Sequence, residues 1–100
     1  MRGFLRFIVL RLIHKHKGIT GQDIRKEIEK RRGSMPSPGT IYPVLKSLRK
    51  SMWIKETDSS GREKSYVLTL EGRKMLKEST HTFIRIFHDM KEEFEKHTLR

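Results

Sequence analysis

All three prolines of this 100-residue chain stand within residues 36–43, together with Gly39 and just after Gly33, and this punctuation constrains the fold more than any other feature. A proline disfavours helix in the residue before it, so Ser34-Met35-Pro36-Ser37-Pro38-Gly39 reads as a turn. Helical patterns flank it on both sides. Upstream, Thr20 is placed to cap a helix, and Asp23, three residues on, to reach back as in a capping box. Ile24 and Ile28 give that helix a narrow apolar stripe, and Gly33 suits the left-handed residue that closes it. Downstream, Ile41, Val44, Leu45 and Leu48 form one apolar face. Ser37 followed by Pro38 reads as a cap with proline in the first helical position. Pro43 has no N–H, and it sits without losing a hydrogen bond only if helix begins near Thr40. The pattern therefore predicts a first turn at Pro38 that is irregular as far as Thr40.

The flanking segments complete an order. Phe4, Leu5, Ile8, Val9, Leu12 and Ile13 lie on one face of a first helix, with Arg2, Arg6, Arg11 and Lys15 turned largely toward water. Lys17-Gly18 ends it, and Ile19 adds a short extended piece. Residues 53–57 and 64–69 are β-rich and flank Asp58-Ser59-Ser60-Gly61-Arg62, a hairpin with a polar tip. Thr69 caps a last helix, with Glu71 near the positive end of its dipole. From Arg73 onward there is no Gly or Pro, and Leu76, Phe83, Phe87, Met90 and Phe94 form a seam at spacings of seven, four, three and four. A helix of more than about 20 residues extends about 30 Å and outruns a small core. The seam of Phe83, Phe87, Met90 and Phe94 is accordingly expected to pair with a second copy. The fold class is mainly α with a small β-hairpin: a winged helix-turn-helix over residues 1–69, extended by a C-terminal dimerisation helix over 70–100, in one structural unit.

Charge points to the partner. The formal net charge is +11. Residues 1–50 carry 13 Lys and Arg against 3 Asp and Glu, or +10, whereas residues 51–100 carry 10 against 9, or +1. Such a basic half suits a polyanion. In a helix-turn-helix the second helix enters the major groove, whose base edges are distinguishable. Here that helix spans residues 40–50. With its apolar face inward, Gly39, Thr40, Tyr42, Pro43, Lys46, Ser47 and Lys50 point outward, and Ser37 stands at its entry. Thr40, Tyr42 and Ser47 can hydrogen-bond to phosphate or base edge, and Lys46 and Lys50 can pair with phosphate. Gly39 and Pro43 leave little bulk between backbone and duplex. In the hairpin, Arg62 and Lys64 are placed for the DNA backbone or the minor groove.

Other chemistries are poorly supported. Without cysteine there are no disulfides, zinc-thiolate sites or thiol nucleophiles, which is compatible with a reducing cytoplasm. Arg6 and Arg11 interrupt the N-terminal apolar segment, which falls short of the roughly 20 residues needed to cross a bilayer. His81 and His88, with Glu92 nearby, are seven apart rather than the four usual for helical metal ligands, so no metal is expected. His14 and His16 point to different sides of their helix, toward solvent. Trp53 is most simply a core aromatic, with a ligand pocket as the alternative. No nucleophile–base pair, carboxylate pair or phosphate loop is visible, and neither an enzyme nor a cofactor is expected.

The stretch Ser37-Pro38-Gly39-Thr40-Ile41-Tyr42-Pro43-Val44-Leu45-Lys46-Ser47-Leu48 resembles the signature of the PadR family of transcriptional regulators. Gly61-Arg62-Glu63-Lys64-Ser65-Tyr66-Val67-Leu68-Thr69-Leu70-Glu71-Gly72-Arg73 is similar to that family's wing and entry to the last helix, and Gly3 with Leu5 fits its opening helix. The resemblance covers residues 3–75. It implies a winged helix-turn-helix that binds operator DNA as a dimer, usually as a repressor. It also implies that the C-terminal helix packs on the partner's N-terminal helix, so that Phe83, Phe87, Met90 and Phe94 would meet Phe4, Leu5 or Ile8 of the other subunit. Some members of that family respond to small aromatic or drug-like ligands held near the dimer interface, so the resemblance admits a small-molecule effector of unknown identity here. Two positions depart from the family. Gly21 is followed by Gln22 where a tyrosine is common, and Met52 replaces a glycine after the second helix of the motif, so that turn is expected to be built differently. The rival readings are a protein–protein adaptor on a winged-helix scaffold and attachment of the basic first helix to a membrane surface.

Overall fold

The computed structural model describes residues 2–57 and 63–98. The elements run α1 (Arg2–Lys15), β1 (Ile19–Thr20), α2 (Gly21–Arg32), α3 (Pro38–Lys50), β2 (Ile54–Thr57), β3 (Ser65–Leu68) and α4 (Leu70–Thr98). The local signals act as expected at α2. The Thr20 hydroxyl accepts from the Asp23 N–H at 3.1 Å, and Gly33 closes the helix at φ 86° with its N–H on the Glu29 carbonyl. At α4, Thr69 Oγ1 accepts from the Gly72 N–H at 3.0 Å.

α3 departs from expectation at its start. It is helical from Pro38, because the Ser37 carbonyl accepts from both the Thr40 and Ile41 N–H groups, at 3.0 and 3.2 Å, and so closes the first turn at once. Pro43 then lies inside the helix. It has no N–H to give the Gly39 carbonyl, a loss that is cheap because Gly39 is exposed and water can take its place.

The turn leaving α3 is also not rebuilt. Met52 adopts φ 62°, the left-handed conformation that the family's glycine would take. The Met52 N–H donates to the Arg49 carbonyl and the Trp53 N–H to the Leu48 carbonyl. A side chain in this region costs about 1–2 kcal/mol. Glycine returns about 0.5–1 kcal/mol of that as lost chain entropy. Since Met52 is 72 % exposed, little burial is forfeited. Met52→Gly is therefore expected to stabilise the fold by about 0.5–1 kcal/mol, read as a higher denaturant midpoint. A midpoint that stays put or falls would refute the strain.

The sheet is antiparallel in the order β1-β3-β2, with Ile19 opposite Tyr66 and Ile54, Glu56 and Thr57 opposite Leu68, Tyr66 and Ser65. Gly18, at φ 79°, turns α1 into β1 and donates to the Tyr66 carbonyl. The core gathers Val9, Leu10, Leu12 and Ile13 of α1, Ile24 and Ile28 of α2, Ile41, Leu45 and Leu48 of α3, the strand residues Ile54, Tyr66 and Leu68, and Leu76 of α4. Trp53 packs at its edge. Arg6, expected to face water, lies with its guanidinium carbon 4.8 Å from the centre of the Trp53 ring. Long-range packing, invisible to helical periodicity, turns it inward as a cation–π partner.

Candidate nucleic-acid interface

α3 is held against the rest of the domain by its apolar face, Ile41, Leu45 and Leu48 being almost wholly buried. The turn before it is tied down by Arg25 of α2, whose Nε donates to the Pro36 carbonyl at 2.9 Å while its Nη1 donates to Gln22 at 2.6 Å. The opposite face of α3 is therefore presented on a rigid base. Gly39, Thr40, Tyr42, Pro43, Lys46 and Lys50 are exposed on it, and Ser47 is half-buried. Ser37, also exposed, shares a 3.1 Å hydrogen bond between its hydroxyl and that of Thr40 rather than capping a backbone N–H.

These residues divide into two groups. Tyr42 and Lys46 face the hairpin and, with Arg49, form one wall of a groove of about 400 Å³; Glu56, Glu63, Lys64 and Tyr66 form the other. Gly21 and Leu45 complete the lining. Ser37, Gly39, Thr40, Pro43, Ser47 and Lys50 are not part of the groove lining. Arg62 lies outside the described residues.

The groove depends on a bare α carbon. A Cβ on Gly21 would come within 2.8 Å of a Tyr42 ring carbon, so glycine at the start of α2 is what lets the ring settle there. Tyr66 is 5 % exposed, and this burial pushes its phenol above the usual value, with the Glu56 carboxylate adding to the shift. It stays protonated at neutral pH and can donate a hydrogen bond to an anionic oxygen. Arg49 and Lys64 both pair with Oε1 of Glu56, Lys64 at 3.4 Å. Lys46 makes no ion pair with another described residue.

Gly21, Arg49, Glu56 and Tyr66 were not among the residues the sequence singles out. Arg49 was within reach of it. Standing three residues after Lys46 and seven after Tyr42, it shares their side of a helix. Gly21, Glu56 and Tyr66 needed the packing of α2 and the register of the hairpin, which no local pattern supplies.

A second surface lies along α4. Leu76 is buried in the domain's own core, and beyond it the helix runs outward. Phe83, expected to meet a second copy, packs within the chain, its ring 5.7 Å from Phe4 and 4.4 Å from Phe7. Leu5 and Ile8 are likewise partly buried against their own core. Past Phe83, the residues Ile84, Phe87, Met90 and Phe94 are all about half exposed or more. His88 pairs with Glu92 at 3.3 Å, and no metal-binding cluster of His, Cys, Asp or Glu occurs among the described residues. No helix of the described residues is long and apolar enough to cross a membrane.

A three-helix core that displays a basic helix beside a two-stranded wing is the winged helix-turn-helix of DNA-binding transcription regulators. The chain belongs to the transcriptional regulator PadR-like family, whose model matches residues 9–78. It is therefore a DNA-binding regulator of transcription and not an enzyme. The fold is that of solved relatives. A PadR-like transcriptional regulator of Bacillus cereus is 24 % identical, with 93 % of each chain covered and a TM-score of 0.82. A PadR family regulator of Clostridium difficile is 26 % identical over 89 % of this chain and 96 % of its own, at a TM-score of 0.76. One from Eggerthella lenta is 22 % identical over 94 % and 84 %, at 0.78. Among curated proteins none matches the sequence.

Proposed function

We propose that this protein is a sequence-specific repressor that acts as a homodimer in the cytoplasm, with α3 in the major groove and the hairpin on the backbone or in the minor groove. The observation that carries this reading is the exposed face of α3, which joins the wing in one basic groove. Tyr42 and Lys46 reach from its wing side, and Ser37, Gly39, Thr40, Pro43, Ser47 and Lys50 supply the remainder of the contact surface. Lys64 and Arg62 meet phosphate. Residues 1–69 form the DNA-binding unit and 70–100 the dimerisation helix. Exposed apolar side chains on α4 support the dimer, since an apolar stripe of this kind on a soluble domain marks an interaction surface. Two-fold symmetry then sets two copies of α3 into successive major grooves about 34–36 Å apart.

Selection of bound duplexes from a random pool tests the reading. The expected product is an inverted repeat whose half-site centres lie about 10 base pairs apart, or a multiple of that. Equal affinity for selected and scrambled duplexes at physiological salt would defeat it. Recovery of a stoichiometric protein partner with no retained DNA would favour an adaptor instead.

A further inference from the structure

Arg49 and Lys64 come from the two elements that would embrace a duplex, α3 and the hairpin, yet both spend their charge on one oxygen of one carboxylate, Glu56 Oε1. The side chains are accessible, 48 % for Arg49, 64 % for Lys64 and 31 % for Glu56. Exposed pairs of this kind add little to stability, and phosphate oxygens compete for the same donors. The arrangement therefore makes poor sense as a staple for the fold. It makes better sense as charge accounting in the groove. The lining carries Lys46, Arg49 and Lys64 against Glu56 and Glu63, a formal +1, which the loss of Glu56 alone would raise to +2.

We propose that Glu56 is a specificity-determining residue, holding Arg49 and Lys64 as a paired unit between α3 and the wing and so withholding them from the phosphates of duplexes that α3 does not fit. This rests on the DNA-binding reading above. Phosphate contacts strengthen binding to every sequence alike and carry no sequence information of their own. A carboxylate that subtracts such contacts weakens binding to arbitrary duplexes, while the base contacts of α3 remain untouched. On the right site, close docking of α3 brings phosphates near enough to draw the two cations away, so the correct duplex recovers what the others lose.

The test is Glu56→Gln, titrated against the duplex selected from the random pool and against its scrambled counterpart over a range of salt. Glutamine keeps the shape of the side chain, and a thermal melt reads the fold independently. For the scrambled duplex, the slope of log affinity against log salt is expected to steepen by about 0.9 for each cation released, hence by about 0.9–1.8. Scrambled affinity at fixed salt should rise at least about threefold. The preference for the selected duplex should fall. Glu71→Gln makes the same change in net charge outside the groove and should leave the slope alone. The triple variant Arg49→Gln, Glu56→Gln, Lys64→Gln should return to the wild-type slope. An unchanged slope in Glu56→Gln, weaker scrambled binding, or an equal rise in Glu71→Gln or in the triple variant would each overturn the proposal. If the wild type binds no duplex, the DNA-contact reading itself fails; if it binds selectively and Glu56→Gln behaves like it, only the role of Glu56 is lost.

Discussion

Gly72→Ala is expected to lower the melting temperature by roughly 10–25 °C, taking about 4–8 °C per kcal/mol for a domain of this size. In an ordinary helix the same change would be favourable, by about 0.5–1 kcal/mol, because alanine loses less chain entropy than glycine. At Gly72 the geometry reverses the sign. A Cβ there would stand 1.9 Å from the carbonyl oxygen of Trp53, a backbone atom that cannot swing aside as a side chain would. That carbonyl also accepts from the Thr69 N–H at 3.0 Å, and the Thr69 hydroxyl donates to the Met52 carbonyl at 2.6 Å. The first turn of α4 is thus stitched to the turn that links α3 to β2. Forcing the two apart costs about 1–3 kcal/mol in overpacking. Loosening the hydrogen bonds adds about 0.5–1.5 kcal/mol for each bond lost. Set against a total stability of about 5–15 kcal/mol, the sum is large. Gly3→Ala is the control, since a Cβ there meets nothing within 4 Å. If Gly72→Ala melts no lower than Gly3→Ala, the close approach does not exist in solution.

Gly72 also shows what kind of information the sequence holds. Helix ends are written locally: Thr20, Gly33 and Thr69 each bond to a backbone group a few residues away, so a reader of the chain finds them. α3 is regular from Pro38, earlier than its pattern predicts, for a physical reason. The hydrogen bond that Pro43 forfeits reads in the sequence as a cost to avoid, whereas an exposed carbonyl at Gly39 lets water make it good. Met52 drew notice as a non-glycine, but the hydrogen bonds of the turn outweigh the strain and keep the left-handed conformation. Contacts between distant segments were beyond reach. Arg6 meets Trp53, β1 joins β3 beside the hairpin, and Glu56 meets Arg49 only after three helices and a strand register are in place. The outward face of α3 was legible because its buried face is strictly periodic; of the wing's share of the groove only Lys64 was, since Glu56 and Tyr66 depend on the hairpin register. Periodicity likewise drew the stripe on α4 without saying where the chain's own α1 stops covering it.

That boundary decides the second large effect. For the proposed homodimer, Phe87→Glu is expected to give a monomer and to weaken binding to an inverted-repeat duplex by about 100-fold or more, since linking two half-site contacts is worth about 10²–10⁴ in affinity. Phe83 is the wrong residue to change, because its ring is packed on Phe4 and Phe7 of the same chain and its loss would disturb α1. Phe87 is 49 % exposed, and its ring lies 6.0 Å from that of Phe83. A carboxylate there costs the isolated chain little. In a symmetric seam it is buried twice, without a partner, and an unpaired buried charge costs several kcal/mol. Sedimentation velocity reads the assembly, while titration of full and half-site duplexes separates lost pairing from lost contact. Half-site affinity should be retained, because the proposed contacts, Tyr42, Lys46 and the wing, lie on elements that precede α4. A Phe87→Glu protein that still sediments as a dimer would place the interface elsewhere, and one that loses half-site binding as well would mean that α4 supports the DNA-facing surface directly rather than by pairing two copies of it.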